Sequence, residues 1–164
     1  MIASVAILGL VTLQRLGELV LARRNTRRLL GEGGVEYGAA HYPLIVGLHA
    51  AWLLGLWALA WDRPVHVGWL VAYGVLQGLR VWVLASLGSR WTTRIIAVPG
   101  ETLVRRGPYR FVSHPNYLVV AGEIAVLPLV FGLPAYAAAF TLANAAVLWI
   151  RIRAEETALS EALP

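Results

Sequence analysis

Long apolar runs separated by short polar segments make up most of the chain and predict membrane-spanning helices. A helix needs about 20 mostly apolar residues to cross a bilayer, and three runs meet that length, at 2–22, 42–61 and 66–87. Beyond a polar stretch, two shorter runs follow at 117–131 and 134–150. The connection between these two runs is so short that we predict a tight helical hairpin.

These runs predict an all-α integral membrane protein with five transmembrane helices in a single domain, 1–164. The front half, 1–87, would hold three spans. The second half, 88–164, would begin with a loop between helices 3 and 4, and helices 4 and 5 would form the hairpin. Because the fourth run is the shortest, we expect that helix to tilt little or to be partly re-entrant.

The arginines predict how these helices are oriented. With five spans, three arginine-bearing segments fall on one side of the membrane, while the opposite side has Arg63. The three segments contain Arg23, Arg24, Arg27 and Arg28, then Arg90, Arg94, Arg105, Arg106 and Arg110, and finally Arg151 and Arg153. Basic residues are enriched on the cytoplasmic side of membrane proteins. We therefore expect a multi-pass membrane protein with its amino terminus outside and the 88–116 loop in the cytoplasm.

The composition is typical of a membrane protein, and it excludes functional sites built on cysteine. The apolar share is 59%, above the roughly 45–50% of soluble domains. All 14 basic residues are arginines, the net charge is +5, and we expect no nucleic-acid partner. Cysteine is absent, and the four histidines are too scattered to predict a metal site. The first run lacks a preceding basic region and a small-residue cleavage site, so we expect a retained span.

The polar loop at 88–116 has features of a ligand site beside a helix end. A Pro-Gly pair and, further on, a Gly-Pro pair are turn signals, with a short extended piece between them whose backbone groups could bind a ligand. Pro115 disfavours helical geometry at His114, so the fourth helix would begin after it and present unpaired N–H groups to the cytosol. The alternative is that Tyr109, Arg110 and His114 only anchor a helix end among lipid headgroups.

The last helix ends in charged residues that could form a second part of the same site. Arg151 and Glu155 are four residues apart and lie on one helical face, with Asn144 seven residues before Arg151 on a similar face. Arg153 and Glu156 form a neighbouring pair. The alternative is a solvated helix end with surface ion pairs of little energetic weight. What favours a site is that two segments on one membrane side place charges beside an apolar wall, as an amphiphilic substrate requires.

Polar residues inside the predicted spans are expected to satisfy one another. They are Gln14, Arg15, Glu18, Gln77, Arg80 and Glu123. Such residues are costly in lipid and usually face the interior of the bundle. We expect Arg15 to pair with Glu18, and Arg80 either to pair with Glu123 or to extend to the membrane surface. Structural pairing is favoured over catalysis for this set, and His49 is interpreted as a hydrogen-bonded packing residue.

The polar loop and the last helix carry two motifs, LVRRGPYRFVSHPNY at 103–117 and RIRAEETAL at 151–159. Together they resemble the isoprenylcysteine carboxyl methyltransferase family, which shares a GPY…RHPxY segment and a terminal RIxxEExxL segment around an apolar hairpin. The resemblance covers roughly residues 85–160 and implies an integral membrane methyltransferase that uses S-adenosylmethionine and releases S-adenosylhomocysteine. The segment 35–52 looks like the short bacterial branch associated with type III polyketide synthases, some of which methylate alkylpyrones.

Two features depart from the family pattern. Ser113 stands where the family typically has arginine, which removes one possible clamp for a carboxylate or phosphate. The chain also stops soon after its two adjacent glutamates, without the family's aromatic tail, so we expect a smaller cytoplasmic lid.

The resemblance also implies roles for individual residues. The cofactor would be bound by Leu103, Val104, Tyr109, His114, Pro115 and Tyr117. The catalytic residues would be Arg151 and Glu155, where cofactor and substrate meet, together with Glu156. Arg151 would orient an anionic acceptor, and Glu155 would hold the cofactor's ammonium group or take a proton. Asn144 and Arg151 are predicted to bind the substrate.

The predicted function is O-methylation of a lipophilic small molecule at the membrane interface. The acceptor would be a carboxylate or an acidic enol or phenol, such as an alkylpyrone, because an already ionised oxygen needs only modest acid–base help. Membrane lipids are the other expected partner, and the oligomeric state is left open. The alternatives are methylation of a prenylcysteine-type carboxylate, a small transporter that uses the charged residues inside the spans, and a noncatalytic membrane scaffold.

Overall fold

Five helices and a small sheet make up this computed structural model, which describes residues 1–100, 102 and 104–162, without the side chains of 158–162. The helices are α1 (Ile2–Gly31), α2 (Tyr42–Ala60), α3 (Val67–Leu87), α4 (Pro115–Val130) and α5 (Pro134–Ala162). The strands β1 (Val35–Tyr37) and β2 (Ile95–Ala97) pair antiparallel, and 3-10 turns lie at Ala39–His41, Gly88–Arg90 and Gly107–Arg110. The five predicted helices are confirmed, and the sheet is an addition to the predicted all-α fold.

The first and last helices are longer than their apolar runs. α1 continues beyond its predicted end at 22 to Gly31, and α5 continues beyond 150 to Ala162. Hydropathy marks where a helix leaves the lipid, whereas arginine and glutamate keep a high helix propensity in water. The extension of α1 buries Asn25 and Leu29, so it packs against the rest of the protein at the end where the 88–116 loop lies.

α4 is the shortest of the five helices and is largely enclosed by protein. It has 16 residues, fewer than the roughly 20 that a span needs, whereas α1, α2, α3 and α5 are long and apolar enough to cross a membrane. Four of the described helices thus reach spanning length, one fewer than predicted. α4 packs between α3 and α5 and buries Glu123, Ile124, Leu127 and Val130. It begins at Pro115, directly after the non-helical His114, because proline suits a first helical position.

The outward faces of the four long helices are apolar. Leu13, Leu54, Val71, Val81 and Leu142 each expose at least 62% of their surface. Large apolar patches are rare on soluble monomers but are expected where helices face lipid. The protein is therefore a multi-pass membrane protein.

The apolar core lies toward the turn between α4 and α5. Its members are Leu8, Val11, Trp52, Leu56, Ala60, Tyr73, Ile124, Leu127, Val130 and Phe131. The turn is held because the His66 N–H donates to the Val130 carbonyl at 2.8 Å. This packing fixes the α4–α5 hairpin at one end, and the functional groups described below lie at the other end.

Six polar side chains of α1, α3 and α4 form a connected network in the bundle interior, which we call the membrane cluster: Gln14, Arg15, Glu18, Gln77, Arg80 and Glu123. Glu18 accepts hydrogen bonds from Arg15 at 2.9 Å and from Arg80 at 2.5 Å. Glu123 lies 2.8 Å from Arg15 and 2.9 Å from Arg80. Gln77 donates to Glu123 at 2.8 Å.

The membrane cluster confirms the predicted pairing of Arg15 with Glu18 and, of the two alternatives for Arg80, the pairing with Glu123. Its two arginines and two glutamates cancel in charge, and each carboxylate accepts several hydrogen bonds, so the cluster can exist away from water. His49 is also a hydrogen-bonded residue as predicted, with Nδ1 2.9 Å from the carbonyl oxygen of Ile45 one helical turn earlier.

Candidate active site

A cavity of about 890 Å³ lies between the 88–116 loop, the start of α4 and the charged part of α5. Its walls include β2 and the residues before it, the 3-10 turn Gly107–Arg110, and side chains of α5. Pockets of roughly 300–1,000 Å³ hold small ligands and cofactors. The two polar segments that the sequence predicted to converge therefore meet at a cavity large enough for such a ligand.

The front half of the chain holds the β2 wall of this cavity in place. β1 pairs with β2, and the adjoining Arg94 donates from Nη1 to both carboxylate oxygens of Glu36, at 2.7 and 2.8 Å. The Arg94 guanidinium carbon also lies 4.5 Å from the ring centroid of Tyr42, a cation–π distance. Asn25 on the α1 extension donates to the carbonyl of Trp91 at 2.7 Å. A wall formed by the second half of the chain thus depends on contacts from the first half.

A hydrogen-bonded chain of three side chains stands on the opposite wall. The Arg151 Nε donates to the Tyr117 hydroxyl at 2.8 Å, and that hydroxyl donates to Oε2 of Glu155. The tyrosine comes from the first turn of α4 and the other two residues from α5, so the hairpin brings them together. Arg151 is only 8% exposed. Arg151 and Glu155 are therefore joined through a buried tyrosine, which a solvated surface ion pair would not require.

His114 extends this group, and we call the four residues the cavity cluster. Its Nδ1 lies 3.8 Å from Oε2 of Glu155, and its ring stacks on that of Tyr117 with centroids 5.3 Å apart. In the described part of the chain, the polar contacts of Glu155 use Oε2 and the hydrogen bond of Arg151 uses Nε, while the Arg151 guanidinium carbon lies 5.5 Å from the Tyr117 ring centroid. The second carboxylate oxygen and the terminal guanidinium nitrogens have no described hydrogen-bond partner, and they carry opposite charges.

Tyr109 lines the same cavity as a neutral hydrogen-bond donor. Burial raises the pKa of its phenol, and the nearby Glu155 carboxylate raises this pKa further. Both effects disfavour the phenolate, so Tyr109 keeps its proton at neutral pH. It can donate a hydrogen bond to a ligand but is unsuited to act as a base.

The predicted site residues fall into three groups by position. Those that line the cavity are Val104, Tyr109, His114, Tyr117, Arg151, Glu155 and Glu156. Pro115 is buried at the start of α4, and Asn144 is 1% exposed in the interior of α5, so neither lies on the described cavity surface. Leu103 lies outside the described residues. The binding and catalytic roles of all these residues stay predictions.

Two further polar groups of the cavity wall were missed from the sequence. The Trp91 Nε1 and the Asn116 Oδ1 are buried without a hydrogen-bond partner among the described residues, and both side chains line the cavity. Leaving a buried polar group unpaired costs about 1–3 kcal/mol, so Trp91 and Asn116 are candidates to bind a ligand or water in the cavity. Asn116 stands inside the quoted HPNY motif, where a closer search would have found it. Trp91 has no such signal.

Comparison with known proteins gives a consistent result. Residues 69–161 match the isoprenylcysteine carboxyl methyltransferase (ICMT) family. A Bacillus subtilis (strain 168) protein named uncharacterized protein YpbQ is 38% identical over 160 residues, which cover 94% of this chain and 95% of that protein. The chain belongs to the isoprenylcysteine carboxyl methyltransferase family. The resemblance stated from the two motifs is thereby confirmed.

A second relative is more distant. An uncharacterized protein of Haemophilus influenzae (strain ATCC 51907 / DSM 11121 / KW20 / Rd) is 24% identical over 165 residues, which cover 92% of this chain and 91% of that protein. No solved structure matches the chain. Membership of the isoprenylcysteine carboxyl methyltransferase family makes this protein a membrane protein of a methyltransferase family. The match begins at residue 69, so the front-half contacts to the β2 wall lie outside it.

Proposed function

We propose that the protein transfers a methyl group from S-adenosylmethionine to an oxygen of a lipophilic small molecule at the membrane surface, leaving S-adenosylhomocysteine. The observation that carries this proposal is the cavity cluster, in which Arg151, Tyr117 and Glu155 form one hydrogen-bonded chain beside a cavity of ligand size. Family membership supplies the reaction class, and members of the family generally use S-adenosylmethionine.

The described residues fit this methyl donor. Its adenosine part carries hydrogen-bond donors and acceptors, and its amino-acid part carries a positive and a negative charge. The cavity wall has hydrogen-bonding groups and charged side chains that are complementary to these. Trp91 and Asn116 contribute a buried unpaired donor and acceptor, and Glu155 and Glu156 contribute carboxylates for the ammonium group. We assign the remaining contacts to Val104, Tyr109, His114 and Tyr117 on the wall, and to Leu103 and Pro115 as the resemblance implies.

The chemistry needs little beyond positioning. When bound, S-adenosylmethionine supplies a methyl group on a positively charged sulfur, which passes to a nucleophilic oxygen. Arg151 would hold an anionic acceptor oxygen through its terminal nitrogens, because its Nε is already fixed by Tyr117. Glu155 would accept a proton from an acceptor that arrives un-ionised, or would hold the donor's ammonium group. The buried tyrosine keeps these two charges at a set separation and limits water between them.

The acceptor that suits these residues is an amphiphile with an acidic oxygen. A carboxylate, or an acidic enol or phenol of the alkylpyrone kind, would place its oxygen at Arg151 and leave its apolar part toward the bilayer. A prenylcysteine-type carboxylate presents the same oxygen chemistry and is the alternative. Asn144, buried on α5 with an unpaired Oδ1, is proposed to contact the acceptor further inside the bundle.

The cavity is proposed to face the cytoplasm of a bacterial inner membrane, with the amino terminus outside. What supports this orientation is the placement of arginines at the cavity end of the bundle. Exposed arginines lie on the α1 extension, in the 88–116 loop and beyond the apolar part of α5, as the positive-inside rule requires. S-adenosylmethionine would then reach the cavity from the cytosol.

The first test is calorimetric titration of the detergent-purified protein with S-adenosylhomocysteine. We expect binding by the natural protein and weaker binding by His114→Ala, since this change removes a stacked ring of the cavity cluster. His66→Ala is the matched control, because His66 lies at the other end of α3 and should leave binding unchanged. Absence of binding in folded protein would contradict the proposed function. Binding would justify a screen for methyl transfer from labelled S-adenosylmethionine to alkylpyrones and long-chain acids.

A further inference from the structure

Three arginines and two apolar residues form an exposed surface beside the cavity, which we call the rim surface: Arg105, Arg106, Arg110, Phe111 and Val112. Phe111 is 75% exposed and Val112 is 42% exposed, and all three arginines are exposed. Adjacent exposed apolar side chains form a contiguous apolar patch, and such patches mark interaction or membrane sites more than single exposed residues do. The combination of cations with an apolar tip is typical of residues at a membrane interface.

Contacts with α3 hold the rim surface at the level where the helices leave the bilayer. The Arg106 Nε donates to the carbonyl of Ser86 at 2.9 Å, one residue before α3 ends. Gly107 has a φ of 59°, and a Cβ added to it would lie 2.0 Å from the Ser86 hydroxyl. The loop is therefore pressed against the last turn of α3 and cannot extend far from it.

Apolar side chains continue from the rim surface toward the lipid. Trp82, one helical turn before the Arg106 contact, is 45% exposed, and Leu118 in the first turn of α4 is 62% exposed. Tryptophan is enriched where helices cross the headgroup region. Phe111 and Val112 thus extend the apolar faces of α3 and α4, while the arginines stand at their polar edge.

Among the described residues, no carboxylate compensates the positive charge of the rim-surface arginines. Within the described residues, none of the three forms an ion pair with a carboxylate, in contrast to Arg94 with Glu36 and Arg80 with Glu18. Arg106 is already oriented through Nε, which leaves its terminal nitrogens for another acceptor. Guanidinium groups bind phosphate oxygens in a bidentate manner.

We infer that the rim surface binds the phosphate of an anionic phospholipid, with Phe111 and Val112 inserted at the boundary of its acyl chains. Free phosphate offers the same oxygens to the arginines, but it would leave the two apolar side chains in water. Arg105 and Arg110 also line the cavity, so the bound headgroup would lie at the cavity mouth. This assignment concerns lipid binding and does not depend on methyl transfer.

The test is photo-crosslinking of the full-length protein in phosphatidylcholine vesicles that contain a photoactivatable phospholipid probe. One probe has a phosphatidylglycerol headgroup and the other a phosphatidylcholine headgroup, and peptide mass spectrometry locates the products. We expect the anionic probe to label 105–112 more than the zwitterionic probe. Arg106→Gln should lower that excess about fivefold, as expected for one arginine at a charged membrane surface. Arg63→Gln, an exposed arginine at the other end of the bundle, is the matched control.

A second variant keeps the inference testable if Arg106→Gln does not fold. Phe111→Ser should reduce labelling of this segment by both probes, because the apolar insertion is lost while the arginines remain. Equal labelling of 105–112 by the two probes would overturn the inference. Labelling that is suppressed by inorganic phosphate but not by added phosphatidylglycerol would identify a free-phosphate site and would also overturn it.

Discussion

The membrane cluster and the cavity cluster are built from the same kinds of residue but differ in how completely they satisfy one another. In the membrane cluster, Glu18 and Glu123 each accept hydrogen bonds from both Arg15 and Arg80 or lie in ion-pair contact with them. In the cavity cluster, the described contacts use one atom of each charged group and a tyrosine between them. The first network engages every carboxylate oxygen of its two glutamates, whereas the second leaves one oxygen of Glu155 and the terminal nitrogens of Arg151 without a described hydrogen-bond partner.

The difference distinguishes a structural polar network from a functional one. Charged side chains that have only a structural role inside the membrane are most stable as a neutral group in which every carboxylate oxygen accepts a hydrogen bond. Charges that bind and turn over a ligand must keep part of their hydrogen-bonding capacity unused until the ligand arrives. The small transporter suggested by the charged residues inside the spans is therefore disfavoured, because those residues already use one another as partners.

The largest expected effect is a loss of folding stability when one carboxylate of the membrane cluster is removed. Glu123→Ala removes one of two carboxylates and leaves an uncompensated positive charge in the interior of the bundle. We expect a loss of about 3–5 kcal/mol in the free energy of unfolding, the range for breaking a buried ion pair. Thermal unfolding in detergent, followed by tryptophan fluorescence, measures the change.

The matched control for that change is Glu156→Ala, which removes an exposed glutamate at the cavity. Its unfolding temperature should stay close to that of the natural protein. An unchanged unfolding temperature for Glu123→Ala would contradict the structural role of the membrane cluster.

The second-largest expected effect is a loss of turnover when the Glu155 carboxylate of the cavity cluster is made neutral while the fold is kept. Glu155→Gln keeps the shape of the side chain but removes its charge, so we expect normal unfolding and turnover lower by about 10²-fold or more. Titration with S-adenosylhomocysteine on the same variant separates the two proposed roles. Weakened binding would identify Glu155 as the partner of the donor's ammonium group, whereas intact binding with lost turnover would identify a base. Unchanged turnover would remove Glu155 from the site.

These differences also show how far the sequence alone could lead. The apolar runs predicted five helices, and the motif order predicted that His114 and Glu155 share a site, because both signals are local in the chain. Hydropathy could not predict that the 16-residue α4 is enclosed between α3 and α5, since shielding by protein is a tertiary property. It also could not place β1 against β2, because three-residue strands far apart in sequence have no periodic signal.

The pairing inside the spans illustrates the same limit in finer detail. The i, i+3 spacing predicted that Arg15 would meet Glu18. The cost of a charge in lipid predicted that Arg80 would either pair with Glu123 or extend to the membrane surface. That Arg80 bonds Glu18 as well as Glu123 depends on the distances between helices. In the cavity, Tyr117 was predicted to bind the cofactor, whereas its hydroxyl also links Arg151 to Glu155. A link of this kind requires the α4–α5 hairpin geometry, which spacing alone does not supply.

A smaller effect is expected from removing that link. Tyr117→Phe keeps the ring that stacks on His114 but removes the hydroxyl between Arg151 and Glu155. Because hydrogen bonds to charged groups contribute about 1.5–3 kcal/mol, we expect turnover to fall at least about tenfold, with S-adenosylhomocysteine binding reduced less. Methyl-transfer kinetics and calorimetry on the same preparation measure both quantities. If binding fell as much as turnover, Tyr117 would act on the cofactor alone.

The smallest effect concerns the front-half support of the β2 wall. Glu36→Gln weakens the contact of Arg94 Nη1 with the two carboxylate oxygens, and because this ion pair is partly exposed we expect a loss of only about 0.5–1 kcal/mol in the binding free energy of S-adenosylhomocysteine. Arg94→Gln should weaken binding by a similar or larger amount, since Arg94 also lines the cavity. Calorimetry on the two single variants and the double variant gives the coupling energy between the residues.

The double variant decides whether Glu36 acts through Arg94. If it does, Glu36→Gln should have no further effect once Arg94 is glutamine, because the wall has already lost its anchor. Additive losses would instead mean that the two residues influence binding independently. The Tyr42→Phe variant is a useful control, because it removes a hydroxyl 3.0 Å from Thr93 Oγ1 but keeps the ring under Arg94. Unchanged binding there would show that the ion pair and the ring contact are sufficient to hold the wall that faces the cavity cluster.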